Sequence, residues 1–271
     1  MRAYRVTVPE PHEDLATALL WEVGTAGIEV GDVSGDRVSL LAYFEEDLDL
    51  GFLRDRLDGV TIEPVPVPDV DWVARFRESF RAFRVGGFVI APPWDRPLES
   101  EGTLLVDPGR AFGTGTHETT RLCLGVLEER ARRGPLGRVL DVGTGTGILA
   151  IAASRLGAEL VVASDTDPEA IASAQAHGRL NEVTLHLVRC DGAGPFRPGF
   201  FDVVVANLTA PLLIGHAPRL GPVRALHGTL VLSGLLESDV SDVRAAYADL
   251  GAPEVHRDGE WAALVYGGAA S

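Results

Sequence analysis

From about residue 117 onward the chain alternates short apolar runs with helix-like stretches, and this alternation restricts the fold more than any other feature. "RVLDVG", "ELVVASD", "VTLHLVR", "FDVVVAN" and "GTLVLSG" read as strands. "FDVVVAN" and "GTLVLSG" are almost unbroken apolar runs, as in strands buried on both faces. Between them, "GILAIAASRLG" is a helix closed by Gly157, and "DPEAIASAQAHGRLN" is one with Pro168 in its first turn. "SDVSDVRAAYADLG" is the last clear helix, and "APEVHRDGEWAALVY" reads as two strands around an Asp258-Gly259 turn. The expected fold class is α/β: a seven-stranded, Rossmann-like, doubly wound sheet with a C-terminal antiparallel hairpin.

The first quarter has a different pattern. "RAYRVTV", "GIEV", "RVSLLAYF" and "VTIEPVPV" have strand character, the middle two flanking the turn "GDVSGD". Leu15, Leu19 and Val23 recur at helical spacing in "PHEDLATALLWEVGTAG", and "DLDLGFLRDRL" is a short helix with Asp47 as candidate cap. The order βαββαβ predicts a small α+β ferredoxin-like domain over residues 1–65. Residues 66–100 read as a linker with a short helix and strands. "DWVARFRESFRAF" places Trp72, Phe76 and Phe80 on one helical face, and "VGGFVIAPPW" is extended. Residues 101–271 form the sheet domain.

Composition narrows the chemistry. No apolar run approaches the roughly 18–20 residues of a membrane span. The opening residues lack a signal-peptide core, and Cys123 and Cys190 have no metal-ligand spacing. A cytoplasmic protein is expected, with no membrane and no metal. All 24 basic residues are arginine, so Walker-A, Schiff-base and kinase-type lysines are excluded. The net charge of −15 is uneven, with −9 carried by residues 1–63 and −6 by the rest. Such a surface repels phosphates and attracts basic partners.

Two glycine-threonine loops sit close together, "FGTGTHETT" at Phe112–Thr120 and "DVGTGTG" at Asp141–Gly147. The second joins a buried strand to its helix, where open α/β sheets bind ligands. The dinucleotide fingerprint counted from Gly143 needs glycine at 148, where Ile148 stands, and the phosphate loop needs a lysine. The next strand ends in Asp165, whose carboxylate can accept from both ribose hydroxyls. A ribose holder without a pyrophosphate cradle suits a nucleoside lacking phosphates, with S-adenosylmethionine the obvious one.

"VLDVGTGTGILAIAA" followed by "ASDTDPEAI" resembles the class I S-adenosylmethionine-dependent methyltransferases. "DPGRAFGTGTHETTRLCL" before that core and "VVANLTAPLL" after it narrow the resemblance to the ribosomal large-subunit protein eleven methyltransferases, the PrmA type. It extends over nearly the whole chain, including "LVLSGLLESDV" and "GEWAALVY". The resemblance implies cofactor binding by Thr120, Gly143, Asp165 and Asn207, with Gly145 in the same loop and Asp191 near the adenine amine. Thr120 lies in the first turn of a helix beginning near His117, where unpaired N–H groups would receive the methionine carboxylate. Asn207 is the leading catalytic candidate, because an amide oxygen can accept an amine hydrogen and orient the nitrogen. "NLTA" lacks the aromatic clamp of many amine methyltransferases, which leaves Phe112 as a candidate wall. His117 is either a base for the amine or a residue that shapes the helix start. "HETTR" is no zinc motif, since Arg121 stands where a second histidine is needed.

The implied function is methylation of α-amino and lysine ε-amino groups of large-subunit protein eleven, a basic partner the acidic first domain would steer. The enzyme is expected to be a monomer without direct nucleic-acid binding, since no basic stripe is present. Two alternatives remain: methylation of another protein or a small-molecule amine, and a non-catalytic S-adenosylmethionine-binding protein.

Overall fold

A computed structural model describes residues 2–25, 27–44, 50–66, 80–96, 102–107, 115 and 117–267. The chain divides into two compact units, Met1–Asp71 and Trp72–Ser271.

In the first unit, β1 (Arg2–Pro9), α1 (Glu13–Glu22), β2 (Gly27–Ser34), β3 (Arg37–Phe44), α2 (Leu53–Arg56) and β4 (Thr61–Val65) follow in that order. The strands pair antiparallel in the order β2-β3-β1-β4, the arrangement of a split βαβ fold. Strict alternation along β3 buries Val38, Leu40, Ala42 and Phe44 against Ala16, Leu19 and Leu20 of α1. Leu15, counted in the apolar stripe of that helix from its spacing, is instead 49% exposed. β2 runs on through most of the expected turn, because a bulge between Val30 and Val33 absorbs the extra residues. The short second helix covers only Leu53–Arg56, and its candidate cap Asp47 lies outside the described residues.

The second unit opens with a three-stranded sheet of β5 (Phe83–Val85), β6 (Phe88–Ala91) and β7 (Thr103–Leu105), in that order. Two of its strands come from the stretch read from sequence as linker. Their side chains Val85, Phe88 and Ile90 are buried in the core of this unit, which is why they group with it. Trp72 and Phe76 of the helix expected there lie outside the described residues, whereas Phe80 is buried.

The main sheet contains β8 (Arg138–Val142), β9 (Leu160–Asp165), β10 (His186–Arg189), β11 (Phe201–Asn207), β12 (Arg224–Leu236), β13 (Glu254–Asp258) and β14 (Trp261–Tyr266). Its order is β10-β9-β8-β11-β12-β14-β13, parallel through the first five positions and antiparallel at β14 and β13. The helices are α3 (Glu118–Arg133), α4 (Ile148–Arg155), α5 (Pro168–Leu180), α6 (Ala210–Val223) and α7 (Val240–Ala246). Alternate strand residues face opposite layers. Val139, Val203 and Val205 meet Leu124 and Leu127 of α3 and Ile151 of α4. Leu140, Val204 and Leu232 meet Leu213 and Leu220 of α6 and Val243 of α7. Each such fully buried aliphatic side chain stabilises the fold by about 1.5–3 kcal/mol.

The helix α6 was not legible from pattern, because Pro218 and Pro222 lie inside it. Burial of Leu213, Leu220 and Val223 against the sheet outweighs the lost N–H groups.

Asn181, 1% exposed, fastens the small sheet to α5. Its Nδ2 donates to Leu105 O and its Oδ1 accepts from Leu105 N–H, both at 2.7 Å. His177 Nε2 accepts from Asp107 N–H at 2.9 Å just beyond. Asn181→Leu therefore strands a buried donor and acceptor, and the expected loss is about 2–4 kcal/mol. Urea unfolding measures it, and wild-type stability would refute the anchoring role.

Candidate active site

The loop Gly143–Gly147 leaves β8 and folds over the end of β9. Gly143 and Thr144 N–H both donate to Ser164 O, at 2.8 and 3.0 Å. Gly145 N–H donates to Asp165 Oδ2 at 3.0 Å, and Asp165 Oδ1 accepts from Asp167 N–H at 3.0 Å. Gly143 has φ +71°, a conformation that demands glycine, and a Cβ there would lie 2.4 Å from Leu208 Cδ2, the far end of that side chain. Leu208 directly follows Asn207, so the second glycine loop abuts the end of β11.

Only part of the first loop is described. Gly115 sits where a Cβ would lie 3.1 Å from Ile148 Cδ1 and closer still to Ile90 Cδ1. The isoleucine that spoils a dinucleotide fingerprint thus packs against Gly115 from the start of α4. Phe112 lies outside the described residues.

His117 caps α3. Its Nδ1 accepts from Thr119 N–H at 3.3 Å and lies 2.8 Å from Thr119 Oγ1. The imidazole also meets the Trp261 ring edge-on, with centroids 4.7 Å apart. Arg121, one turn into the helix, bridges Glu118 at 3.1 Å and Asp258 at 2.9 Å. A bond from its own backbone N–H and another from Arg121 hold the Glu118 carboxyl below its ordinary range. The β13–β14 hairpin therefore grips the start of α3 through Asp258, read from sequence only as a turn residue, and Trp261, which had no role there.

Thr120 and Asn207 are two of eight described residues with a buried side-chain polar atom that lacks a partner, and both lie beside the second loop's strands. Thr120 Oγ1 and Asn207 Oδ1 are both buried, and neither has a hydrogen-bond partner among the described residues. Asn207 lies opposite Ser233 in the β11–β12 ladder, and the Ser233 hydroxyl lies 3.4 Å from Thr119 O. Thr120, Gly143, Gly145, Asp165 and Asn207 are thereby linked at the carboxyl ends of β8, β9 and β11. Asp191 lies past β10, largely exposed, with Oδ1 3.4 Å from His216 Nε2.

A family model described as ribosomal protein L11 methyltransferase (PrmA) matches residues 29–267. The chain belongs to this family. Within the L11 methyltransferases it is 40% identical to a member from Pelobacter propionicus over 96% of this chain and 94% of the relative. It is 41% identical to one from Geobacter sulfurreducens, over 85% and 82%. Among solved structures, a ribosomal protein L11 methylase from Lactobacillus delbrueckii subsp. bulgaricus is 32% identical, with a TM-score of 0.62 covering 69% of this chain and 97% of that one. Membership makes the chain an S-adenosylmethionine-dependent class I methyltransferase, and the sheet order agrees.

In this methyltransferase Asp141 underlies the second loop, 1% exposed, with Thr144 Oγ1 donating to its Oδ2 at 2.6 Å. Burial pushes the Asp141 carboxyl up to about 6. An unfolded aspartate titrates near 3.9. Between those values the native state binds the proton and the unfolded state does not. The contribution of this group therefore falls by roughly 3 kcal/mol as pH rises from about 4 to 6, and stays lost above. Asp141→Asn should lack that decline when stability is measured across the same window. Parallel curves for variant and wild type would contradict the assignment.

Proposed function

We propose that this methyltransferase methylates the α-amino group and lysine ε-amino groups of ribosomal protein L11. The pair of buried acceptors without partners, Thr120 Oγ1 and Asn207 Oδ1, carries the reading of the site. The residues fit S-adenosylmethionine. Asp165 retains acceptor capacity for ribose hydroxyls beyond the Gly145 and Asp167 bonds, since a carboxylate offers about four lone-pair sites. The Thr120 hydroxyl suits the methionine carboxylate; the first-turn N–H groups of α3, expected to be unpaired, are instead bonded, those of Thr119, Thr120 and Arg121 to His117 and that of Glu118 to its own carboxyl. Gly143 and Gly145 let the backbone approach, and Asp191, largely exposed, suits the adenine amine. When bound, the cofactor supplies a methyl carbon on a sulfonium with its leaving group attached.

The work of the chain is then to orient. Asn207 Oδ1 accepts a hydrogen of the neutral target amine and holds its lone pair in line with the methyl carbon. The hydrogen bonds of His117 support its role as the cap that shapes the loop; as a base it would have to release that cap. Phe112 is the candidate wall behind the amine. Asn207→Ala should lower methyl transfer by about 100-fold and weaken cofactor binding, since it removes a positioning contact. Radiolabelled S-adenosylmethionine with purified ribosomal proteins, followed by mass mapping, reads both transfer and target. Labelling of a different protein, or of a small amine only, would overturn the substrate.

The first unit supports a basic protein partner, with the enzyme a cytoplasmic monomer that does not bind nucleic acid directly. Among the described residues no helix is long and apolar enough to cross a membrane. Glu10, Asp36, Asp58 and Glu63 are exposed on the first unit. Replacing these four by their amides should raise KM for the ribosomal protein by about tenfold at low salt. Cofactor affinity should stay unchanged. An unaltered KM would remove the steering role and leave the active-site reading intact.

A further inference from the structure

We infer that Ser233 and Gly234, at a bulge in β12, are positioning residues that align the two halves of the site. This rests on the reading of Thr120 and Asn207 above. The ladder between β12 and β14 slips between Ser233 and Leu235, so one extra residue is accommodated beside the end of β11. Bulges of this kind re-aim neighbouring side chains.

Gly234 has φ +87°, and a Cβ there would lie 2.4 Å from Leu208 O and 3.0 Å from Asn207 Oδ1. The absence of that one carbon leaves room first for the Leu208 carbonyl, whose carbon would lie 2.8 Å away, and beside it for the Asn207 amide oxygen. Ser233 works on the other half. Its side chain is fully buried, and its hydroxyl lies 3.2 Å from Ala262 O and 3.4 Å from Thr119 O, donating between the two carbonyls. Thr119 directly precedes Thr120 in the first turn of α3. The Ser233 carbonyl accepts Leu208 N–H at 2.9 Å, which fixes the chain just after Asn207. One dipeptide thus touches the backbone beside Thr120, the backbone beside Asn207, and the Asn207 side chain. Neither residue points an unused group at a ligand, so both act through their neighbours.

Two different kinetic signatures follow. Ser233→Ala removes the hydroxyl with little change in shape, and it should weaken S-adenosylmethionine binding by about fivefold, the effect of one lost hydrogen bond. Gly234→Asn brings in a Cβ on a residue that tolerates positive φ. It should lower kcat at saturating cofactor by about 100-fold, through the displaced Asn207 amide. Calorimetric titration of the cofactor, methyl-transfer kinetics and thermal melts are measured on the full chain, alongside Thr120→Ala and Asn207→Ala. If Gly234→Asn does not fold, the affinity of Ser233→Ala decides alone. Wild-type affinity and kcat in both bulge variants, with Thr120→Ala and Asn207→Ala impaired, would overturn the positioning role. Wild-type behaviour of Thr120→Ala and Asn207→Ala would instead overturn the site reading.

Discussion

Two backbone N–H groups, of Gly143 and Thr144, converge on the carbonyl of Ser164. That small convergence holds the loop after β8 on the end of β9, and much of the site follows from it. It brings Gly145 against the Asp165 carboxylate, sets Gly143 against Leu208, and starts α4 at Ile148, against which Gly115 lies. The φ of +71° at Gly143, and the approach of Gly147 to Ala174, where a Cβ would lie 3.1 Å from Ala174 Cβ, both favour glycine. The glycines of this loop therefore serve protein packing as well as ligand approach.

The site is assembled from segments far apart in the sequence, and its polar interior is left partly unsatisfied. A buried oxygen without a partner costs about 1–3 kcal/mol. Among the described residues Thr120 and Asn207 each hold one such oxygen, and Asp141 adds a buried carboxyl raised to about 6. The strands beneath offset this through two continuous apolar layers on opposite faces of the sheet. Cys123 lies within one of these layers, where burial pushes its thiol up to about 12 and keeps it unreactive.

Much of this was readable from sequence where the signal is local. The apolar runs of β11 and β12, the glycine spacing of the second loop and the acid ending β9 are each contained within a few residues. The features that were not readable depend on partners distant in the chain. The helix α6 is hidden by Pro218 and Pro222, and its reason for forming is the sheet it covers. The exposure of Leu15 contradicts a spacing that looked helical and apolar, because the buried stripe runs through Ala16, Leu19 and Leu20. Trp261, Asp258, Ser233 and Gly234 matter through the elements they touch. Only the glycine within an apolar strand pattern carried a local hint, of a bulge.

The late position of β14 in the chain has a consequence for biosynthesis. Domains generally fold as units while the N-terminal part of a chain leaves the ribosome first. Yet β14 lies between β12 and β13, and it supplies the Ala262 carbonyl to Ser233. Its first residue, Trp261, and the last of β13, Asp258, supply contacts at the start of α3. A nascent chain stopped before residue 254 would contain both glycine loops and Asn207 and still lack what aligns them. Alignment of the two glycine loops with Asn207 therefore depends on β14, although every one of those residues precedes it in the chain.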